Sequence, residues 1–444
     1  MNATQAIATH IAHLSYDGIP PATLKDMQTL MLDYLGVALG GVRTESGRIA
    51  AEFSRDLNER GEATIIGYGF RVSCATAAFC NAILSHSIEL DDTDHLAFLH
   101  FSPPTFSAAL AMAESRQATG QAFLTAVVAG CDVVARLSRV TNPALRDRGF
   151  HTTPTCGVFG AAAAAGKILG LDAQQQASAL GLAGAHASGL MEMYGSSMQK
   201  RINPGPAARG GVVAAVLAQR GFTGAENIFE GDRGFCRAFA GVSDLHMLTA
   251  NLGRDFPIFI EYKPYACARP IHNAIDCALE LVTAYPMDLA AIQEIVVRRH
   301  PAWADYHTIA QPHNYHEAQV SLPYSVAIAL MEGKATVAQY TDAKLTAPQV
   351  LQLARKVRII PDASLPRGVS CAMKIVTANG RTYEARVDYA KGSRENPMTD
   401  AEHKAKFRAL ASPVLSPGKI EQVSALADNL AELEDISQLS RLLY

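Results

Sequence analysis

"PATLKDMQTLMLDYLGVALGG", Pro21–Gly41, carries its apolar residues at helical spacing and closes on paired glycines, a helix stop signal. The pattern then repeats along the chain. "SAALAMAESRQATG" (107–120), "QAFLTAVVAGCDVVARLSRV" (121–140) and "GPAARGGVVAAVLAQRGFTG" (205–224) show the same spacing. "GLDAQQQASALGLAGAHASGL" (170–190) adds a capping box, with Asp172 as N-cap and Gln175 three residues on. Small residues recur on these segments, which lets helix backbones approach closely. The expectation from about residue 21 to 251 is helix packed on helix rather than helix on sheet.

The texture changes near residue 253. "RDFPIFIEYKPY" (254–265) is β-rich, and "AIQEIVVRRH" (291–300) reads as a strand leaving a helix. "SCAMKIVTANGRTYEARVDY" (370–389) predicts a hairpin with Asn379-Gly380 as a two-residue turn. Helices are expected near 271–285, 317–332 and 347–355. "NPMTDAEHKAKFRALA" (396–411) returns to helix behind a Thr399/Glu402 capping box, and further helices around 418–442 can pack back on the first part. A chain of 444 residues exceeds one core. The expected fold class is mainly α: a large helical domain from residues 1–262 and 396–444, and a smaller α+β domain over 263–395.

Apolar residues make up 49% of the chain and charged residues 18%, below the roughly 25% usual for soluble domains. That points to extensive buried surface and a subunit interface. A net charge of −3 without a basic block argues against nucleic acid or an anionic membrane as partner. The start of the chain lacks the cationic and apolar regions of a secretory signal, and no apolar run approaches the roughly 20 residues that span a bilayer. Eight cysteines with no CxxC pair fit a reducing compartment and argue against structural zinc. A soluble cytoplasmic protein is expected.

Four clusters concentrate the chemistry. "HSIELDDTDHLAFLH" (86–100) gathers Glu89, Asp91, Asp92, Asp94, His95 and His100; the alternative to a site is a solvated helix end. Its acids and histidines could hold a metal, but no HxH or HExxH spacing supports one. "RGFHTTPTCGVFGAAAAAGK" (148–167) sets His151 before an alanine helix, as proton donor or simple cap. "MYGSSMQKRINPGPAARGG" (193–211) offers Lys200 and Arg201 beside a helix start, a setting for an anion. "EYKPYACARPIHNAID" (261–276) places Lys263, Cys267, Arg269 and His272 at the domain change, where they could line a cleft or pair structurally. Cys156 and Cys267 are weak nucleophile candidates, without a GxSxG-type elbow. Acid, base and cation without a cofactor motif suit removal of a proton next to a carboxylate, with fixed cations stabilising the enolate-like charge. A metal-dependent hydrolase and a non-catalytic helical dimer are the competing classes.

In this order the clusters resemble the MmgE/PrpD family over essentially the whole chain. The resemblance rests on "NAILSHSIELDDTD…H", "GFHTTPTCGVFGAAAAAGKILGL", "GSSMQKRINPGPAARGGVVAAVLAQRGFTG" with "IFEGDRGF", "KPYACARPIHNAID", "HEAQVSLPYSVAIALMEG" and "KGSRENPMT". That family contains 2-methylcitrate dehydratases, cis-aconitate decarboxylases and an iminodisuccinate epimerase. The resemblance implies a cofactor-independent enzyme for a small polycarboxylate, an α+β lid inserted in a helical domain, and a homodimer. Thr93, His100, His151 and Lys200 match cleft positions of the decarboxylases. Lys263 matches the lysine opening the lid, Tyr324 a tyrosine near the substrate and His272 a common family histidine.

The implied roles follow from chemistry. Lys200, Arg201 and Lys263 neutralise substrate carboxylates, and His100 or His151 moves the proton while the other assists. Asp91 or Asp92 orients a histidine or holds a lysine charged, with Glu89, Thr93, Arg269, His272 and Tyr324 binding substrate. Three departures stand out: Glu89 where the family commonly has Asp, one extra residue between Thr93 and His100, and Ala268 where decarboxylases carry a second lid histidine. The expected reaction is therefore dehydration of a hydroxy di- or tricarboxylate. Decarboxylation of an unsaturated tricarboxylate or epimerisation next to a carboxylate is the alternative.

Overall fold

The computed structural model of the chain describes residues 2–193, 197–366 and 368–444. The Tyr194–Ser196 part of the third cluster lies outside the described residues. The quoted opening stretch is one helix, Pro21–Gly41, and helices Ser102–Arg116, Gly120–Thr141, Thr152–Ile168, Ala173–Ala183 and Pro204–Gln219 follow. The Asp172/Gln175 and Thr399/Glu402 capping boxes both form.

Small residues do what their spacing implies. A Cβ added to Gly130 would lie 2.6 Å from the Gly160 carbonyl oxygen, and one on Gly211 would lie 2.6 Å from the Ala162 amide nitrogen. Helices Gly120–Thr141 and Pro204–Gln219 therefore touch helix Thr152–Ile168 backbone to backbone. One apolar cluster holds these helices, running from Ile7 to Ile258 and resuming at Phe407–Leu443. The late helix Asp400–Ala411 lies against Pro21–Gly41, where Lys406 Nζ donates to Asp33 Oδ1 at 2.6 Å and to the Leu90 carbonyl at 2.7 Å.

A second cluster is built from Ala266 to Ala385, joined by Val37, Ile88 and Leu90. Its sheet has the strand order Val357–Pro361, Ile292–Arg299, Cys371–Thr377, Thr382–Val387; the first pair is parallel and the others antiparallel. Cys371, Met373 and Ile375 alternate inward toward helices His272–Ala284 and Leu322–Glu332, the period-2 burial of a one-faced sheet. The molecule is thus mainly α with small sheets. Among the described residues no helix is long and apolar enough to cross a membrane.

Three local expectations are corrected. The strand expected over 254–265 is absent: prolines 257 and 264 lack a donor N–H, and only Glu261 pairs, as a single bridge to Thr93. The hairpin turn has three loop residues rather than two, because Thr377 N donates to Arg381 O at 3.0 Å and Gly380 takes the left-handed position at φ 77°. The helix expected over 317–332 divides into Tyr315–Ala318 and Leu322–Glu332, since Ser321 caps the Tyr324 amide at 3.1 Å ahead of Pro323.

Candidate active site

Helix Cys74–His86 ends at the start of the acidic stretch. The solvated helix end considered for these acids is not formed: Glu89, Asp91, Asp92 and Asp94 are all buried. Buried charge needs partners, and each acid has them. Glu89 is held at φ 56° and accepts from Lys200 Nζ, from Arg201 Nη1 at 2.6 Å and from Lys263 Nζ at 3.2 Å. Burial alone would raise its carboxyl, but Lys200, Lys263 and Arg201 outweigh that and hold it well below the ordinary range. Asp91 Oδ2 lies 2.7 Å from His86 Nδ1 and 3.0 Å from His100 Nδ1, and its Oδ1 lies 3.6 Å from Lys263 Nζ. Burial again opposes ionisation of Asp91, and His100, His86 and Lys263 together reverse it.

The two candidate proton carriers are fixed in opposite senses. His100 Nδ1–H donates to the Asp92 carbonyl at 2.5 Å and faces Asp91, leaving Nε2 with its lone pair. His151 ends the loop before helix Thr152–Ile168, and its Nδ1 accepts from Asn203 Nδ2 at 3.0 Å. The same Asn203 nitrogen donates to Met193 Sδ at 2.8 Å, which can only accept, so the amide orientation is set and the His151 proton belongs on Nε2. Burial, followed by the charges of His86 and Lys200, pushes His151 well below its usual value and keeps the ring neutral.

Both rings line a cavity of about 850 Å³, together with Glu89, Thr93, Lys200, Lys263 and Arg269. Segments from both apolar clusters form its walls, so residues more than 100 positions apart in the chain meet there. The scattered arrangement that a non-catalytic helical dimer would need is not observed.

The other expected site residues stand behind this wall or elsewhere. Arg201 does not line the cavity: its guanidinium is consumed by Glu89, by Gln319 Oε1 at 2.7 Å and by the His86 carbonyl at 3.3 Å. Asp91 reaches the cavity only through His100 and Lys263. Asp92 is neither acid nor base toward the cavity, because its carboxylate accepts the Phe101 and Ser102 amides at 2.7 and 3.0 Å and holds the start of helix Ser102–Arg116. His272 is locked between Arg269 Nη1, 3.1 Å from its Nδ1, and the Cys267 carbonyl at 3.2 Å. Tyr324 is fully buried and does not line the cavity; its Oη donates to the Gln339 carbonyl at 2.6 Å and ties helix Leu322–Glu332 to the turn Val337–Gln339. Cys156 and Cys267 are also buried, and desolvation pushes both thiols up to about 12, which removes them as nucleophiles.

Several contributors were missed by sequence reasoning. His86 supports Asp91 from the last turn of an apolar helix, and Asn203 orients His151 from the third cluster. Glu261 lines the cavity between His95 Nδ1 at 3.1 Å and Arg269 Nε at 3.2 Å. Arg146, Trp303 and His307 line it from segments without a recognisable motif. Asn203, between Lys200-Arg201 and a proline helix start, was the one with a readable signal.

His86, Asp91 and His100 bring one ligand atom each within 4.8 Å of one another, a spacing that could hold a metal. The donor set fits one poorly. His86 Nδ1 is spent on Asp91 and His100 Nδ1 on the Asp92 carbonyl, and Lys263 holds an ammonium 3.6 Å from the Asp91 carboxylate, where a dication would be repelled.

The chain is similar over its whole length to known proteins. The cis-aconitate decarboxylase of Mus musculus is 29% identical over 462 residues, covering 100% of this chain and 93% of its own length. The cis-aconitate decarboxylase of Homo sapiens is 28% identical, covering 99% of this chain and 94% of its own. The cis-aconitate decarboxylase-like protein oryM of Aspergillus oryzae is 29% identical, covering 100% and 97%. The MmgE/PrpD N-terminal domain matches residues 5–248 and the MmgE/PrpD C-terminal domain residues 265–432, so with nearly its whole length accounted for in matching order, the chain belongs to the MmgE/PrpD family.

Proposed function

We propose that the chain is a lyase for a small polycarboxylate, working by proton transfer at a carbon next to a carboxylate. The observation that carries this reading is the pairing of His100 and His151, with Nδ1 donating in the first ring and accepting in the second, on one cavity with Lys200 and Lys263. Decarboxylation of a cis-aconitate-like acid is the reading the relatives support. One carboxylate leaves as CO₂, and its bonding pair forms a new carbon–carbon double bond. The old double bond's electrons move onto the carbon beside a second carboxylate, which passes through an enolate-like charge. Lys200 and Lys263 stabilise that charge, and His100, which enters this step with a proton taken from solvent on Nε2, delivers it to carbon and regains its lone pair, with the Asp91 carboxylate beside Nδ1 supporting the imidazolium. Neutral His151 donates Nε2–H to a substrate oxygen.

Dehydration of a hydroxy tricarboxylate remains the second reading, favoured by Ala268, which lines the cavity where a second lid histidine is expected of a decarboxylase. His100 then removes the α-proton and His151 hydrogen-bonds the departing hydroxyl. No metal or organic cofactor takes part in either scheme, residues 263–395 serve as the lid, and the active form is a homodimer.

The experiment is incubation with cis-aconitate and with 2-methylcitrate in D₂O, following CO₂ and proton spectra. Release of CO₂ with deuterium in the product supports decarboxylation, and loss of water supports dehydration. Exchange without net reaction would assign epimerisation, and inertness with both acids would overturn the lyase reading. Activity unchanged by a strong chelator is expected; its loss would point to a metal-dependent reaction.

A further inference from the structure

Arg146 stands outside the ion pairs that organise the cavity. It lies in the short helix Ala144–Asp147, a few residues before His151, and it lines the same cavity. The other cations there are engaged: Lys200 and Lys263 on Glu89, and Arg269 on Glu261 and the Lys391 carbonyl. Among the described residues the Arg146 guanidinium has neither a carboxylate nor a hydrogen-bond acceptor as partner. Rings hold it instead. Its central carbon is 5.3 Å from the centroid of Phe98 and 5.6 Å from that of Trp303, and both rings line the cavity. A guanidinium braced on aromatic faces keeps its N–H edge available in a fixed plane, which matches a carboxylate bidentately.

A second observation points to a ligand at the same place. His307 lines the cavity with its ring stacked on Trp303, centroids 5.8 Å apart and planes 19° apart. Its backbone is held at φ 64°, and its buried Nδ1 has no hydrogen-bond partner. Phe98 is also left-handed, at φ 56°. Unfavourable backbone angles and an orphaned polar atom at one wall are what a binding surface retains and a structural one discards.

We propose that Arg146, backed by Phe98 and Trp303 and flanked by His307, anchors a substrate carboxylate remote from the bond that breaks. This rests on the polycarboxylate reading of the site and deepens it. Lys200 and Lys263 hold the end where charge develops, and Arg146 holds the other. The pocket therefore selects acids with at least two separated carboxylates.

Trp303 is the only tryptophan in the chain, so its fluorescence reads occupancy directly. The probe is tricarballylate, a saturated tricarboxylate that cannot react, titrated into wild type, Arg146→Ala, Arg146→Lys and Lys200→Ala, with calorimetry alongside. Arg146→Ala is expected to weaken binding about 10- to 100-fold, the worth of a charge-assisted pair. It should raise KM for the turned-over acid by a similar factor while kcat stays within about threefold. Arg146→Lys keeps the charge but loses the planar fork. It should bind several-fold more weakly at an unchanged melting temperature, which decides the matter if Arg146→Ala misfolds. Wild type that binds tricarballylate, with both Arg146 variants binding as tightly, would overturn the anchor alone. Wild type that neither binds tricarballylate nor turns over a polycarboxylate would overturn the lyase reading and the anchor with it.

Discussion

Glu89 organises three cations at once: Lys200, Arg201 and Lys263 converge on one buried carboxylate whose backbone sits at φ 56°. Removing one member of a buried cluster leaves the others unpaired, so Glu89→Gln is expected to lose about 3–5 kcal/mol. Urea unfolding checks this, and an unchanged midpoint would mean the cations are hydrated rather than paired. His100→Gln should lower kcat by about 10²- to 10⁴-fold and abolish deuterium incorporation at carbon, because the ring that carries the proton is gone. Asn203→Ala acts one step back. It frees His151 Nδ1 and lets the ring change tautomer, so kcat should fall while wild-type stability is nearly kept; a kcat unaffected by the change would make Asn203 a simple brace.

Among the elements, the helices supply rigidity and the loops between them supply chemistry. Helix Ser102–Arg116 opens on amides that Asp92 satisfies, so Asp92→Ala should cost about 1–2 kcal/mol by loss of that capping role. Asp92→Asn, which retains an acceptor, should recover much of it. If Asp92→Ala instead kept full stability and lost all activity, Asp92 would belong to the chemistry. Close helix contact makes a different prediction. A Cβ at Gly160 would stand 2.9 Å from the Gly130 carbonyl oxygen, so Gly160→Ala should lose at least about 1–3 kcal/mol through overpacking. Thermal melts of this variant test whether the two backbones really touch.

For the whole molecule, the buried histidines share one sign of pH dependence, while Asp33 and Asp94, raised by burial, oppose it at lower pH. His86 is pushed down to about 4 by burial, with Asp91 opposing, and His151 and His272 are also depressed by burial. The unfolded chain binds protons on these rings from about pH 6.5 downward while the folded chain refuses them, so stability is complete above that value and is lost as pH falls. Glu89 and Asp91, held below their ordinary range by their cations, add loss of the same sign at still lower pH. Melting temperature is expected to be flat above about pH 7 and to fall progressively between about pH 6.5 and 4. A melting temperature rising toward acid would contradict the neutral buried histidines. Burial of these rings in the apolar body is what imposes the shifts.

Sequence by itself determined the helical character, the capping boxes, the strands at Ile292–Arg299 and Cys371–Thr377 and the family, because periodicity, caps and ordered motifs are local and additive along a chain. It also singled out His100, His151, Lys200 and Lys263, whose side chains have chemistry that an apolar neighbourhood makes conspicuous. Only the tertiary structure decided which charges face the cavity and which are spent on one another. Arg201 and Asp92 read as site residues until Glu89 and the helix start claim them, and Asn203 and Arg146 gain meaning only from a partner 52 residues away or from rings across the cavity. Pairing depends on distances of a few ångströms between segments remote in the chain, and the spacing of residue types carries no record of those distances.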